Sequence, residues 1–249
     1  MRKSVSLLGM IIAISMFICQ SSLATETEET IAVYKIVYTD GYEPQEGIKS
    51  AYLTFDDGPT QYTPKVLEIL AEFDVPATFF VVGNTEYTHY MSDIVENGHA
   101  IGLHSYNHNF EQIYQSTEAF FADLKKIDDI VYDETGIRSN IMRFPGGSSV
   151  SRGDQAVIDQ LKNQVVERGY QYFDWNCDSA DKMGVKTAAG AISRIESMEQ
   201  IAGDIAIVLM HDTEKITVEY LPRVISYFKG LGYDFKHLRF TSPAVQHTW

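Results

Sequence analysis

Cysteine is nearly absent from this chain of 249 residues, which has two, Cys19 and Cys177. Cys19 falls in an apolar run near the N-terminus, so Cys177 stands alone in the remainder. A single thiol closes no internal disulfide, and stability must come from a packed core. No base stands beside Cys177 in the sequence to activate it, and it reads as a small buried hydrophobe. Positive charge is also scarce: 20 Lys and Arg face 34 Asp and Glu, a formal net charge of -14. That balance argues against nucleic acid or an anionic surface held by bulk electrostatics. Repeats, low-complexity tracts and long linkers are missing after Ser50. What is there is 45% hydrophobic, in a length suited to one large α/β domain.

Met1-Arg2-Lys3 is a short basic start, residues 4–19 are uncharged and mostly apolar, and Ser22-Leu23-Ala24 supplies small residues at both cleavage-determining positions. Residues 1–24 are therefore expected to be an export signal, which makes the protein secreted or cell-surface. Left uncleaved they would be a membrane anchor, but the apolar run is shorter than the ~20 residues of a typical span. Residues 25–49 form an acidic segment whose alternating stretch, 31–38, is expected as a peripheral strand before a turn at Asp40-Gly41. Residues 50–249 are expected to form one catalytic domain.

From Ser50 onward, short apolar runs alternate with helical periods. The runs are 51–55, 77–82, 100–103, 141–144, 170–175, 205–210 and, weaker, 233–238. Helices are expected at 64–72, 92–97, 116–135, 154–168, 187–199 and 216–229. In the third, Phe120, Leu124, Ile127 and Val131 share one stripe, and Gly136 is placed to cap its end. Gly98, Gly169 and Gly230 read as stops for three others. Strands alternating with helices pair in parallel through right-handed crossovers. Seven such strands suit a barrel with outer helices, although periodicity alone also admits an open sheet.

Polar groups crowd the carboxyl ends of these runs. Leu53-Thr54-Phe55 leads into Asp56-Asp57-Gly58-Pro59, and Ile101-Gly102-Leu103 into His104-Ser105-Tyr106-Asn107-His108. Ile141-Met142 leads into Arg143-Phe144-Pro145-Gly146-Gly147, and Val208-Leu209-Met210 into His211-Asp212. Each segment alone is ordinary: a turn, two spaced histidines, an arginine before a Pro-Gly loop, a lone histidine. In parallel α/β folds, however, active sites gather at the carboxyl ends of strands, so the four are expected to converge. Adjacent ionised aspartates repel, which a cation relieves, so one can bind metal while its neighbour accepts a proton. His104 and His108 with one of the two aspartates form a three-donor set with open positions, suited to Zn2+ and also to Fe, Co or Ni.

The segment Thr54-Phe55-Asp56-Asp57-Gly58-Pro59 resembles the first signature of the polysaccharide deacetylases, the carbohydrate esterase family built on the NodB-homology domain. His104-Ser105-x-x-His108 is similar to the second signature and Arg143-x-Pro145-x-Gly147 to the third. Asp178-Ser179-Ala180-Asp181 is similar to the fourth, and Leu209-x-His211 to the fifth. The likeness runs from about Ser50 to the tail at 242–247. It implies a distorted (β/α) barrel and metal-dependent removal of N-acetyl groups from a polysaccharide. By resemblance, Asp57, His104 and His108 would hold one divalent metal, with zinc the favoured ion. Asp56 would be the general base and His211 the general acid, with Arg143 paired to Asp56 and Asp181 tuning His211. The Gly146 N–H would face the oxyanion, Leu209 would line the acetyl pocket, and Phe144 would be a substrate contact.

Peptidoglycan is the expected substrate, with chitin oligomers and O-acetylated xylan as alternatives. A silent glycan-binding relative is disfavoured, because the base, acid and metal donors are all retained. Three positions depart from the family pattern. Gly146 stands where an aromatic is common, Lys182 where Trp usually follows the fourth signature's second aspartate, and Ala100 where an acidic residue often precedes the second signature. The first two are expected to alter sugar contacts. His89, His99, His237 and His247 match no signature and read as structural or surface residues.

Overall fold

The computed structural model describes residues 34–38 and 47–248. The expected export signal, most of the acidic segment and the turn at Asp40-Gly41 lie outside the described residues. The strands are β1 (Tyr34–Val37), β2 (Lys49–Asp56), β3 (Ala77–Val82), β4 (Ala100–Ser105), β5 (Ile141–Met142), β6 (Gln171–Tyr172), β7 (Cys177–Asp178), β8 (Ile205–His211), β9 (Tyr233–Phe235) and β10 (Ala244–His247). The helices are α1 (Thr63–Phe73), α2 (Tyr90–Glu96), α3 (Phe110–Ile113), α4 (Thr117–Thr135), α5 (Gln155–Glu167), α6 (Ala188–Ala202) and α7 (Lys215–Gly230).

Seven strands in the order β6-β5-β4-β3-β2-β8-β7 pair in parallel and curl into a half-barrel with surrounding helices. The expected barrel is thus observed, with two revisions. The expected seventh strand, β9, lies off this path and pairs with residues 49–51 of β2, ahead of the stretch where β2 meets β3. Its place in the path is taken by β7, whose two residues are too few for periodicity to reveal. β1, the described part of the expected peripheral strand, pairs antiparallel with β10.

Local chemistry accounts for the helix limits. Ser116 Oγ accepts from the Ala119 N–H at the start of α4, and Gly136 ends it at φ 71°. Asp154 caps α5 and Thr187 caps α6 in the same manner as Ser116. Gly230, by contrast, is the last residue of α7, and the positive φ falls at Gly232. No helix among the described residues is long and apolar enough to cross a membrane.

The period of two along each strand separates two faces. Leu53, Phe55, Phe79, Val81, Val208 and Met210 point to the larger core, which they share with the stripe of α4 and with Val66, Ile158, Ile192 and Leu221 of other helices. Tyr52, Phe80, Ile141, Ile205 and Ile207 belong to a second cluster inside the half-barrel. Two-residue steps along the inner face carry Tyr52 to Asp56, Ile141 to Arg143 and Ile207 to His211. The inner row therefore turns from apolar to polar at the carboxyl ends.

Candidate active site

The second and fourth strands bring three donor atoms together. Asp57 follows β2 with a left-handed backbone, φ 70°, and its N–H donates to the Phe80 carbonyl at 3.2 Å. His104, in β4, sets Nδ1 2.8 Å from the Arg143 carbonyl oxygen. That oxygen only accepts, so Nδ1 holds the proton and Nε2 keeps its lone pair for a metal. His104 Nε2 and His108 Nε2 lie 3.3 and 3.1 Å from Asp57 Oδ1. His108 is likewise left-handed, at φ 53°, a strained geometry that functional sites concentrate. Its N–H donates to Ser105 Oγ at 2.9 Å, and Ser105 Oγ donates to Asp123 Oδ2 at 2.6 Å. Asp123 also accepts the N–H groups of Tyr106 and Asn107, so a buried carboxylate on α4 sets the loop between the two histidines.

These residues fit a divalent cation. One donor atom from each of the three lies within 4.8 Å of the others, and Asp57 Oδ1 is buried without a hydrogen-bond partner. Burial opposes ionisation of Asp57, but His104 and His108 outweigh it and hold the carboxyl well below its usual range. Burial, reinforced by His104, pulls His108 down toward the neutral form that binds metal. The other oxygen of Asp57, Oδ2, binds the Lys182 ammonium.

Beside the donors stands Asp56, buried at the end of β2. Arg143 donates from Nη1 to Asp56 Oδ1 at 2.8 Å and to Thr54 Oγ1 at 2.7 Å. Its Nε reaches the Phe173 carbonyl at 2.9 Å and its Nη2 the Asp174 carbonyl at 3.0 Å. The guanidinium also lies 4.3 Å from the Phe80 ring centroid. A fully buried cation is tolerable only with such saturation of its donors. The carboxylate of Asp174 in turn accepts from Ser148 N–H, Ser148 Oγ and His247 N–H, anchoring the loop after Arg143.

On the neighbouring strand β8, where His211 is in register with Asp56, His211 Nδ1 donates to Asp181 Oδ1 at 2.6 Å. Asp181 Oδ2 accepts from the His211 N–H at 3.0 Å, Thr217 Oγ1 at 3.0 Å and Tyr220 Oη at 2.8 Å. Burial would lower the His211 pKa, but the Asp181 hydrogen bond and charge outweigh it and raise it. Burial works against the charge on Asp181 too, yet His211 and Tyr220 hold its carboxyl down. Next in the chain, Asp212 is fully buried, and burial together with the charge of Asp57 pushes it up to about 7. Its Oδ2 accepts from Thr63 Oγ1 at 2.5 Å, and a Cβ on Gly58 would stand 2.2 Å from its Oδ1, so only glycine fits there.

The three expected substrate contacts fare differently. Gly146 is exposed at φ 76°. A Cβ there would meet Phe110 Cε1 at 2.9 Å, and the Phe110 ring, carried by α3, packs edge-on against His108. Leu209 is buried, belongs to neither apolar cluster and shares the inner face with His211. Phe144 is a correction: it is fully buried between Phe120 and Tyr172, and its ring is core rather than substrate contact. A groove of about 700 Å³ runs along His108, lined by Asn107, Asn109, Phe110, Glu111 and Arg152. The unmatched histidines stay structural or superficial. His99 accepts from Ala77 N–H and is pulled to about 4 by burial and His237, His247 packs on Trp175, and His89 is exposed.

A family model described as polysaccharide deacetylase matches residues 43–171. A peptidoglycan-N-acetylglucosamine deacetylase of Bacillus cereus is 33% identical over 194 residues, which cover 76% of this chain and 68% of that one. The catalytic domain of a peptidoglycan N-acetylglucosamine deacetylase from Eubacterium rectale superposes with a TM-score of 0.78 at 35% identity, covering 82% of this chain and 95% of that one. The polysaccharide deacetylase Bc1974 from Bacillus cereus gives a TM-score of 0.67 at 31% identity, covering 77% and 92% of the two chains.

Proposed function

The chain belongs to the polysaccharide deacetylase family, and from that premise we propose that it is a metal-dependent hydrolase removing N-acetyl groups from N-acetylglucosamine residues of peptidoglycan. One observation carries the reading: the metal donors Asp57, His104 and His108 lie beside a carboxylate held by Arg143 and an imidazole held by Asp181, which are register partners on β2 and β8. A base and an acid flanking an electrophile site is what amide hydrolysis requires.

A divalent metal held by the three donors, zinc foremost, would polarise the acetyl carbonyl and acidify water. Asp56 has Oδ1 tied to Arg143, while its Oδ2 lies 3.9 Å from His104 Nε2, on the donors' side. From there it accepts the proton of the attacking water. The turn closed by Gly147 N–H on the Phe144 carbonyl leaves the Gly146 N–H as donor to the developing oxyanion. His211 protonates the departing nitrogen as the C–N bond breaks, because an amine leaves poorly without a proton. Acetate and a free-amine sugar result.

Peptidoglycan is favoured by the relatives' substrate and by Arg152, which stacks over Phe110 in the groove beside His108. A cation there suits the lactyl and peptide carboxylates that chitin lacks. The composition of residues 1–24 supports action outside the cytoplasm. The test assays acetate release from peptidoglycan, chitin oligomers and acetylated xylan, together with metal content. Asp56→Asn is expected to keep its metal while losing activity about 10²–10⁴-fold. Metal-loaded wild type that frees no acetate from any of the three glycans would refute the reading.

A further inference from the structure

Lys182 follows directly on Asp181, and the two neighbours reach different residues of the site. Asp178 Oδ1 accepts from Ala180 N–H at 2.8 Å, and Ala180 adopts a left-handed backbone at φ 53°. The turn sends Asp181 inward to His211 and Lys182 across the mouth to Asp57. The two oxygens of Asp57 are thereby divided. Oδ1 is buried and faces Nε2 of both His104 and His108, whereas Oδ2 takes the Lys182 ammonium. The lysine side chain is 36% exposed, which places it at the rim rather than in the core.

We propose that Lys182 is a positioning residue that confines Asp57 to ligation through Oδ1 and, by its charge, weakens the site's hold on a divalent cation. This rests on the metal-dependent reading above and refines it. An ammonium on the outer oxygen blocks two-oxygen ligation, leaving room at the site for substrate. It also withdraws carboxylate charge from the metal side and repels a second cation nearby. Tight retention is thus exchanged for a more electron-poor centre. A tryptophan at this position would offer a stacking surface and no such charge.

The experiment uses the full chain stripped of metal by a chelator, as wild type, Lys182→Met and Lys182→Arg. Zinc affinity is measured in competition with a chromophoric chelator, and Co2+ loading is followed by its visible absorption. Lys182→Met is expected to bind zinc about tenfold more tightly. Its Co2+ band should weaken as Asp57 supplies a second oxygen and the coordination number rises. Lys182→Arg, which keeps the charge, should retain wild-type affinity and spectrum. Circular dichroism melting confirms that each variant is folded. Equal or weaker zinc binding by Lys182→Met, or an arginine variant that behaves like methionine, would overturn the proposal. If wild type binds metal and frees acetate while Lys182→Met is unchanged, only this inference falls. If none of the three takes up zinc or Co2+, the metal-dependent reading falls with it.

Discussion

Replacing Asp181 by Asn probes the proposed acid, His211. The His211–Asp181 pair is 2.6 Å apart, with 12% and 0% of the two side chains exposed. An opposite charge at such range favours the charged form of each partner. The shift on His211 is upward, so its acid form survives to higher pH than a free imidazole would allow. Asn cannot replace the carboxylate fully, because three donors already converge on Oδ2 and the amide nitrogen would then face His211 Nδ1. The alkaline limb of kcat/KM, followed by acetate release, should therefore move to lower pH. Above both pKa values the variant should be about ten- to a thousandfold slower, and the gap should shrink as pH falls below both. Stability follows the same pair. Asp181 is depressed and His211 raised, so their contribution is present above the unfolded carboxylate pKa near 4 and is lost as pH rises through the folded pKa of His211. A uniform loss of rate with an unmoved alkaline limb would refute the reasoning.

Other outcomes follow from the same geometry. Arg143→Met should cost about 3–5 kcal/mol in urea unfolding, since it strands the buried carboxylate of Asp56. Phe144→Ala should cost about 3–5 kcal/mol in stability while leaving the KM of the folded enzyme unchanged, because the ring is core. Asp123→Asn should lower metal affinity about 10–100-fold through the loop bearing His108, measurable by competition with a chelator.

The fold was legible where one face of a strand or helix stays apolar over several residues. Leu53 and Phe55 on β2, and Phe120, Leu124, Ile127 and Val131 on α4, announce themselves by spacing and are buried as expected. Cys177 is buried too, and burial raises its thiol, in keeping with an inert side chain. The site was legible because its residues stand at or just beyond the carboxyl ends of β2, β4, β5, β7 and β8. What escaped notice depends on tertiary approach. Asp123 could have been suspected, for it sits three residues after Phe120 and four before Ile127 on a stripe otherwise apolar. Phe110 and Asp212 carry no such signal: one matters for the space it fills beside Gly146, the other for its approach to Gly58. Phe144 misled for the opposite reason. It lies among loop residues of a signature yet turns its ring into the core, away from Gly146 beside it.

Arg143 has a consequence beyond its ion pair with Asp56. β6 and β7 are the two ends of the strand path, and the stretch joining them contains Phe173 and Asp174, whose carbonyls both accept from this guanidinium. One side chain thus bolts the slit of the half-barrel to the strand that ends in Asp56. Loosening the slit would remove the partner of Asp56 before the rest of the sheet gave way. Catalysis then acts as a strain gauge for this joint: under rising denaturant, acetate release should vanish ahead of the global loss of helix.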